Sequence, residues 1–360
     1  MTAPGVGGST QRIVVSADEH VVESRSFWEQ WLPDSLPAAD RRRAPRLEGV
    51  ALALGGPSGH HAIKTFLLFP ALVQHSDEAA GASDPLGRLA VLDGEGIDAS
   101  VVFPQRAMAM WGIEDRDLMF RCFDAYNEWL ADWCRQGRGR LHGVAILPTV
   151  YRPEATADYL AHLQDLGFRT MMLPNFPRDA DYAGPEMSPL WSAIESSGLP
   201  LNFHISEAPD NNGAGGLGTY LSVSFQPFRK LWSYLVFSGI LERHPGLRVV
   251  FAEGGISWIP SALDHADRIH AKFAGHLHPQ LSRPPSHYWF TQCYATFMED
   301  PCGVEQIDRI GADRVLWASD YPHPEGTFGA TRRVVDALRR SLADRCDDAL
   351  GATAARLYGL

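Results

Sequence analysis

Two acids and two histidines stand out because each occurs where an apolar, strand-like run of the sequence ends. Asp18 and His20 follow the first such run with one residue between them, so in an extended segment both side chains point the same way. His204 lies near the end of the segment LNFHIS, and Asp320 follows the run 314–318. Two carboxylates and two imidazoles form a donor set suited to Zn²⁺ and acceptable to Mn²⁺ or Fe²⁺. We therefore predict that these four residues hold one divalent metal ion, with zinc as the first expectation.

Each of the four residues also has an ordinary structural explanation. A histidine in an apolar strand usually belongs to the core, Asp18 could cap a helix, and Asp320 before Tyr-Pro could form a turn. The joint pattern is harder to explain in this way. All four lie at the ends of predicted strands, and a (β/α)₈ barrel places its chemistry at the carboxyl ends of its strands.

Glu253 and His323 are the candidates for proton transfer. Glu253 ends another apolar run in the segment FAEGG, and His323 comes three residues after Asp320. A bound metal ion activates water and polarises a carbonyl group, so a carboxylate or imidazole beside it can act as general base and acid. Arg106, after the second predicted strand, could bind a substrate carboxylate or simply a backbone carbonyl group, and the sequence leaves these two roles equal.

The elements that must position these residues are repeated βα units. Apolar and β-branched runs alternate with stretches of helical spacing, which predicts a (β/α)₈ TIM barrel; a doubly wound open sheet is the alternative, but no GxGxxG follows the first run. The predicted strands are 12–17, 99–104, 141–147, 168–173, 200–205, 247–252, 289–294 and 314–318. The clearest helix begins near Glu114, and its apolar face carries Met119, Cys122, Phe123, Tyr126, Leu130 and Trp133.

The predicted domain organisation is a single barrel over residues 12–360, preceded by a flexible tail at 1–11. Two segments interrupt the βα rhythm: a long insertion at 21–83, and a loop rich in glycine and asparagine at 207–220. Both follow barrel strands, so both should emerge at the face that holds the chemistry. We expect either a cap over the substrate or ordinary surface loops.

Composition and charge narrow the classes of partner. The net charge of -11 argues against nucleic acid, whose phosphates need a dense basic surface. Five cysteines, never spaced as CxxC, indicate reduced thiols and a cytoplasmic location. No apolar run is long enough for a membrane span. The expected partner is a small-molecule substrate, with no nucleic acid and no membrane, and a homodimer stays open.

The order of these motifs resembles a known family. The segments DEH, LNFHIS, FAEGG and WASDYPHPEG, with RLAVLDGEGIDASVVFP, AYNEWLADWC and RLHGVAILP between them, resemble the amidohydrolase-related family that includes aminocarboxymuconate-semialdehyde decarboxylase and γ-resorcylate decarboxylase. The resemblance extends over nearly the whole chain and implies that Asp18, His20, His204 and Asp320 are metal ligands. The fourth predicted strand lacks the lysine that bridges two metals in dihydroorotase-like relatives, which implies one metal.

One departure from the family bears on the reaction. The family usually has a catalytic histidine after the sixth strand, whereas this sequence has Glu253. The departure favours hydrolysis of an amide, ester or ring bond in a small aromatic substrate, or the reverse dehydrative cyclisation in a biosynthetic tailoring step. The alternative is non-oxidative decarboxylation of an aromatic carboxylic acid. A barrel that has lost catalysis and only binds a ligand is the third possibility, and the intact ligand set argues against it.

Overall fold

The computed structural model describes residues 13–56, 59–62, 70–205, 214–223 and 225–360, and a ring of parallel strands lies at its centre. The strands are Val15–Val21, Ala99–Pro104, Leu141–Gly143 continued by Ala145–Ile146, Met171–Met172, Leu201–His204, Val249–Ala252, Cys293–Phe297 and Val315–Trp317. We call these the first to eighth barrel strands. Nearly all their residues are buried, as expected for a parallel sheet covered on both faces.

The ring is closed by hydrogen bonds at two junctions. The third strand bridges its neighbours, since Val144 N donates to Val102 O (2.9 Å) and Ala145 N donates to Thr170 O (3.3 Å). Just beyond the eighth strand, Asp320 N donates to Asp18 O (3.0 Å) on the first strand. The predicted (β/α)₈ barrel is therefore confirmed, and its closure lies at two of the predicted site residues.

Helices surround the barrel. Beyond the insertion, the α-helices are Pro85–Glu95, Arg116–Arg135, Thr156–Asp165, Ser188–Ser197, Gly216–Val223, Gln226–Phe237, Ile240–Arg243, Trp258–Phe273, Pro285–Gln292, Pro301–Glu305, Ile307–Ile310, Thr331–Leu342 and Thr353–Tyr358. All six residues predicted to share the apolar face of Arg116–Arg135 are buried, and Asp115 caps its first turn. No helix in the described ranges is both long and apolar enough to cross a membrane.

The insertion after the first strand has its own secondary structure. It contains a π-helical turn Phe27–Trp31, the helices Leu32–Ser35 and Pro70–Glu78, and an antiparallel sheet of Arg46–Glu48, Ala51–Gly56 and Gly59–Ala62. An ion pair from Arg43 to Asp115 (2.6 Å) ties it to the barrel helices. Of the predicted loop 207–220, residues 207–213 lie outside the described residues, and residues 216–220 belong to the helix Gly216–Val223. Whether the two segments cap a substrate stays a prediction.

Two strand predictions were wrong in an informative way. The segment 289–294 was predicted as a strand, but a helix spans Pro285–Gln292 and the strand is Cys293–Phe297. The apolar run is too short for the spacing of its apolar residues to distinguish a strand from a helix. Proline at the helix start and burial of Trp289 favour the helix. The first strand runs to Val21, so Asp18 and His20 lie within it, not after it.

A buried ion pair joins the first strand to the helix that follows the insertion. The Arg88 guanidinium donates to Glu19 Oε2 (3.1 Å), to His20 O (2.6 Å) and to Gly81 O (3.1 Å). Ser319 Oγ donates to the other oxygen of Glu19 (2.7 Å). Burial raises the pKa of Glu19, against the lowering effect of Arg88. Glu19 therefore connects the first strand both to the helix Pro85–Glu95, through Arg88, and to the chain after the eighth strand, through Ser319.

We expect Arg88→Met to lower the free energy of unfolding by about 3–5 kcal/mol, because it leaves the Glu19 carboxylate buried without its partner. Urea unfolding of the purified chain measures the change. Adding Glu19→Gln should recover part of the loss, since the orphaned charge is then gone. Arg25→Met is the matched control: its pair with Glu29 is exposed and should be worth less than about 1 kcal/mol. A loss from Arg88→Met no larger than this control contradicts the prediction.

Candidate metal centre

The first strand supplies Asp18 and His20 from the inside of the barrel. The strand is entirely buried, and its pairing with the second strand shifts register between Ser16 and Glu19. His20 Nδ1 lies 3.1 Å from Pro104 O, and this carbonyl oxygen can only accept, so Nδ1 carries the proton. The second ring nitrogen, Nε2, therefore keeps a free lone pair toward the barrel axis, an arrangement typical of metal-binding histidines.

His204 is the last residue of the fifth strand, and a hydrogen bond from its Nδ1 to a backbone carbonyl group orients it, as for His20. Its Nδ1 lies 2.7 Å from Ile205 O, which leaves Nε2 as the free donor atom. This Nε2 is 3.5 Å from Asp18 Oδ1. The imidazole is buried, so its lone pair has no access to bulk water.

Asp320 completes the group from beyond the eighth strand. Its φ of 56° lies in the left-handed region, which few residues other than glycine adopt. Strain of this kind is tolerated where the surrounding structure over-determines it, often at functional sites. Asp320 Oδ1 lies 3.5 Å from His20 Nε2, and neither carboxylate oxygen of Asp320 has a hydrogen-bond partner among the described residues.

The four side chains fit a divalent metal ion. Asp18 Oδ1, His20 Nε2, His204 Nε2 and both Asp320 oxygens are buried without a hydrogen-bond partner in the described part of the chain. The donor atoms that face each other are 3.5–3.8 Å apart. A tetrahedral ion with bonds of about 2.1 Å holds its ligand atoms roughly 3.4 Å apart. Several buried polar atoms that converge at this spacing would be costly without a cation between them.

Glu253 and His323 lie directly beside these ligands. Glu253 follows the sixth strand with a φ of 70°, and its backbone N donates to Thr296 Oγ1 (2.7 Å). Its two carboxylate oxygens lie 3.4 Å from His204 Nε2 and 3.6 Å from His323 Nδ1. Thr296 Oγ1 also donates to Asp18 Oδ2 (3.3 Å), so one hydroxyl orients both acids.

Burial and neighbouring charges shift the pKa values of this group in opposite directions. Burial, reinforced by the charge of His323, lowers the pKa of His20 to about 4. Burial also disfavours the charged form of His204, but the carboxylates of Asp18 and Glu253 outweigh it and raise the pKa to about 9. Burial raises the pKa of Glu253 to about 7, against the lowering effect of His204. The site thus combines the neutral imidazole of His20 with one carboxyl group, that of Glu253, whose pKa lies near neutrality.

A cavity of about 400 Å³ opens beside the centre. Its apolar lining includes Phe297 and Val334, and its charged lining consists of Asp18, Glu253, Glu299, Asp300, Asp320, Glu325 and Arg333. The volume is that of a small-molecule site. Ligands bound there would contact the predicted metal ligands and the predicted proton-transfer group together.

The family model described as Amidohydrolase matches residues 31–360. The chain belongs to the amidohydrolase family. It is therefore an enzyme of the metal-dependent amidohydrolase superfamily, as the resemblance implied.

Relatives of this amidohydrolase include several decarboxylases. The γ-resorcylate decarboxylase of Rhodococcus jostii (strain RHA1) is 26% identical over 278 residues, which cover 72% of this chain and 82% of the relative. The structure of 5-carboxyvanillate decarboxylase from Sphingomonas paucimobilis has a TM-score of 0.70 at 21% identity and covers 97% of this chain and 100% of that one. The dihydroxybenzoic acid decarboxylase of Polaromonas sp. JS666, with bound manganese and 2-nitroresorcinol, has a TM-score of 0.70 at 18% identity and covers 97% of this chain and 98% of that one.

Arg106 does not join the other predicted site residues of this amidohydrolase. Its guanidinium donates to Asp77 Oδ2 (2.6 Å) and to Val50 O (3.3 Å), both in the insertion. Its backbone N donates to the buried carboxylate of Glu23 (2.9 Å). These contacts match the backbone-carbonyl role that the sequence left open, and a contact with substrate stays a prediction.

Three residues near the centre were missed in the sequence. Thr296 orients two acids, Gln105 Oε1 lies 2.9 Å from His323 Nε2, and Glu325 lies with Glu253 and Asp320 in a second group of possible ligands. Thr296 and Gln105 are uncharged and common residue types, so nothing in the sequence marks them. Glu325 offered one signal, since it is an acid five positions after Asp320 in the segment DYPHPEG.

Proposed function

We propose that this enzyme is a metal-dependent, non-oxidative decarboxylase of a small hydroxylated aromatic acid. The observation that carries the proposal is the carboxyl group of Glu253, held at a strained backbone position against His204 and His323 beside the four predicted ligands. The names of the relatives support the same reaction class, because they include a γ-resorcylate decarboxylase and a dihydroxybenzoic acid decarboxylase.

The reaction needs two things from the protein. When the bond from ring carbon to carboxylate breaks, its electron pair passes to the ring carbon, which must take a proton as CO₂ leaves. Asp18, His20, His204 and Asp320 would hold the divalent ion, which would supply positive charge for the substrate carboxylate and an adjacent hydroxyl group. Glu253 then donates the proton, and His323, with its Nδ1 3.6 Å from Glu253 Oε1, passes a replacement proton to it.

The cavity suits such a substrate. Its volume of about 400 Å³ accommodates one substituted ring, and Phe297, Met298 and Val334 offer apolar surface to the ring faces. Asp18 and Asp320 line the cavity, so a cation bound by them would be within reach of the ring carboxylate. The metal itself is proposed as Mn²⁺ or Zn²⁺: the donor set accepts both, and a relative holds manganese.

Hydrolysis is the second candidate, and one observation favours it. A carboxylate at the position of Glu253, within 3.4 Å of a predicted ligand, can serve as the general base for attack of water on a carbonyl group. The sequence alone favoured hydrolysis for this reason. Decarboxylation now has the stronger support, because the relatives that cover most of the chain carry that activity in their names.

Turnover of hydroxybenzoic acids in D₂O separates the two functions. For a decarboxylase we expect one CO₂ per product molecule and one deuterium on the carbon that lost the carboxylate, because the proton on Glu253 comes from solvent. The measurements are CO₂ release and NMR of the product, with Mn²⁺-loaded enzyme. Aryl esters and anilides of the same acids, tested in parallel, should stay intact. Ester or amide cleavage without CO₂ release from any acid would establish hydrolysis instead.

A further inference from the structure

A second group of metal-binding side chains lies next to the four predicted ligands. Glu253, Asp320, His323 and Glu325 each offer one donor atom, and these atoms all lie within 4.8 Å of one another. Three carboxylates and one imidazole form a donor set that Mn²⁺ and Zn²⁺ accept. Glu325 is exposed and lines the cavity. The group is therefore open to an ion that enters through the cavity.

Asp320 belongs to both groups. Its side chain is 1% exposed, and both of its oxygens lack a hydrogen-bond partner in the described ranges. Its Oδ1 lies 3.5 Å from His20 Nε2 and 2.9 Å from His323 Nδ1. A carboxylate can bind a different ion through each of its oxygens, so this buried group is suited to bridge a pair of ions.

His323 directs its Nδ1 atom at the carboxyl groups. Its Nε2 lies 2.9 Å from Gln105 Oε1, which accepts a hydrogen bond, so Nε2 carries the proton. Its Nδ1 then faces Asp320 Oδ1 at 2.9 Å and Glu253 Oε1 at 3.6 Å. Nδ1 can carry a proton, as the proposed reaction requires, or bind a metal cation in its place.

We propose that Glu253, His323 and Glu325, with Asp320 as the shared ligand, form a second and weaker divalent-cation site that inhibits the enzyme when it fills. The inhibitory effect rests on the proposed function, because the ion occupies the atoms through which Glu253 and His323 transfer protons. The binding itself depends only on the side chains. The resemblance to the family implied one metal, and the second site adds to that one without replacing it.

Titration of the metal-free full chain with Mn²⁺, followed by electron paramagnetic resonance, tests the site without substrate. We expect one tightly bound ion, a second ion bound at least about 10-fold more weakly, and exchange coupling between the two, since they share Asp320. Activity should rise with the first ion and fall with the second. A single bound ion at every Mn²⁺ concentration overturns the site, and activity that rises as the second ion binds overturns its inhibitory role.

Glu325→Gln and Glu299→Gln form a matched pair. Both acids are exposed and line the same cavity, but only Glu325 belongs to the second group. Glu325→Gln should weaken the second ion about 10–100-fold and shift the inhibitory arm to higher Mn²⁺ by the same factor, with the first ion unchanged. Equal effects of the two variants would mean that the negative charge of the cavity, and not coordination by Glu325, holds the second ion, and this would overturn the site. Two bound ions without CO₂ release would count against the proposed function alone.

Discussion

We expect His204→Ala to lose most of its bound metal, and to lose its activity with the metal. The imidazole Nε2 of His204 is buried, has no hydrogen-bond partner among the described residues, and faces Asp18 Oδ1 at 3.5 Å. Without this imidazole, only Asp18, His20 and Asp320 are left to bind the ion. Loss of an outer partner of a ligand weakens metal binding about 10–100-fold, and loss of a ligand should exceed that range. Metal content after dialysis and isothermal titration with Mn²⁺ measure the change.

His162→Ala is the matched control for this prediction. His162 lies on the helix Thr156–Asp165, is 41% exposed at its side chain and faces Asp124 at 3.7 Å. The same substitution there should leave metal content and activity at the wild-type level. Thermal unfolding of the metal-free His204→Ala and wild-type chains should coincide approximately, so that lost metal is not mistaken for lost fold. Unchanged metal content and activity in His204→Ala would remove the predicted centre.

Glu253→Gln should keep the metal and slow the reaction by about 10²–10⁴-fold, the usual contribution of a positioned proton-transfer group. Glutamine has the shape of glutamate and can still accept a hydrogen bond, but it cannot donate an acidic proton to a ring carbon. The backbone bond from Glu253 N to Thr296 Oγ1 is unaffected, so the position of the side chain should persist. Single-turnover kinetics measure the chemical step separately from product release.

Thr296→Val tests whether the position of Glu253 matters as well as its chemistry. The hydroxyl of Thr296 orients Glu253 through its backbone N and Asp18 through Oδ2, and valine keeps the volume without the hydrogen bonds. We expect a smaller fall in rate than for Glu253→Gln, together with weaker metal binding.

Two outcomes would contradict the prediction for Glu253→Gln. Turnover of this variant near the wild-type rate would assign proton transfer to His323, and loss of the metal ion would make Glu253 a ligand of the first site.

The sequence by itself determined the fold class and the residues that meet at the barrel mouth. Parallel strands are buried on both faces, so their apolar runs are readable locally, and an acid or histidine at the end of such a run is conspicuous. Asp18, His20, His204, Glu253 and Asp320 were identified in this way before any contact was known. Closure of the barrel then brings them together, because all its strands point in the same direction.

Only the tertiary structure decided which atoms face one another. Arg106 and Glu325 are both charged residues in loops beyond barrel strands, yet Arg106 binds Asp77 of the insertion while Glu325 joins Asp320 and His323. The helix Pro285–Gln292 was misassigned for a related reason, since burial of Trp289 against distant residues decided its conformation. These outcomes depend on packing between segments far apart in the chain, and a local pattern of residue types does not encode that packing energy.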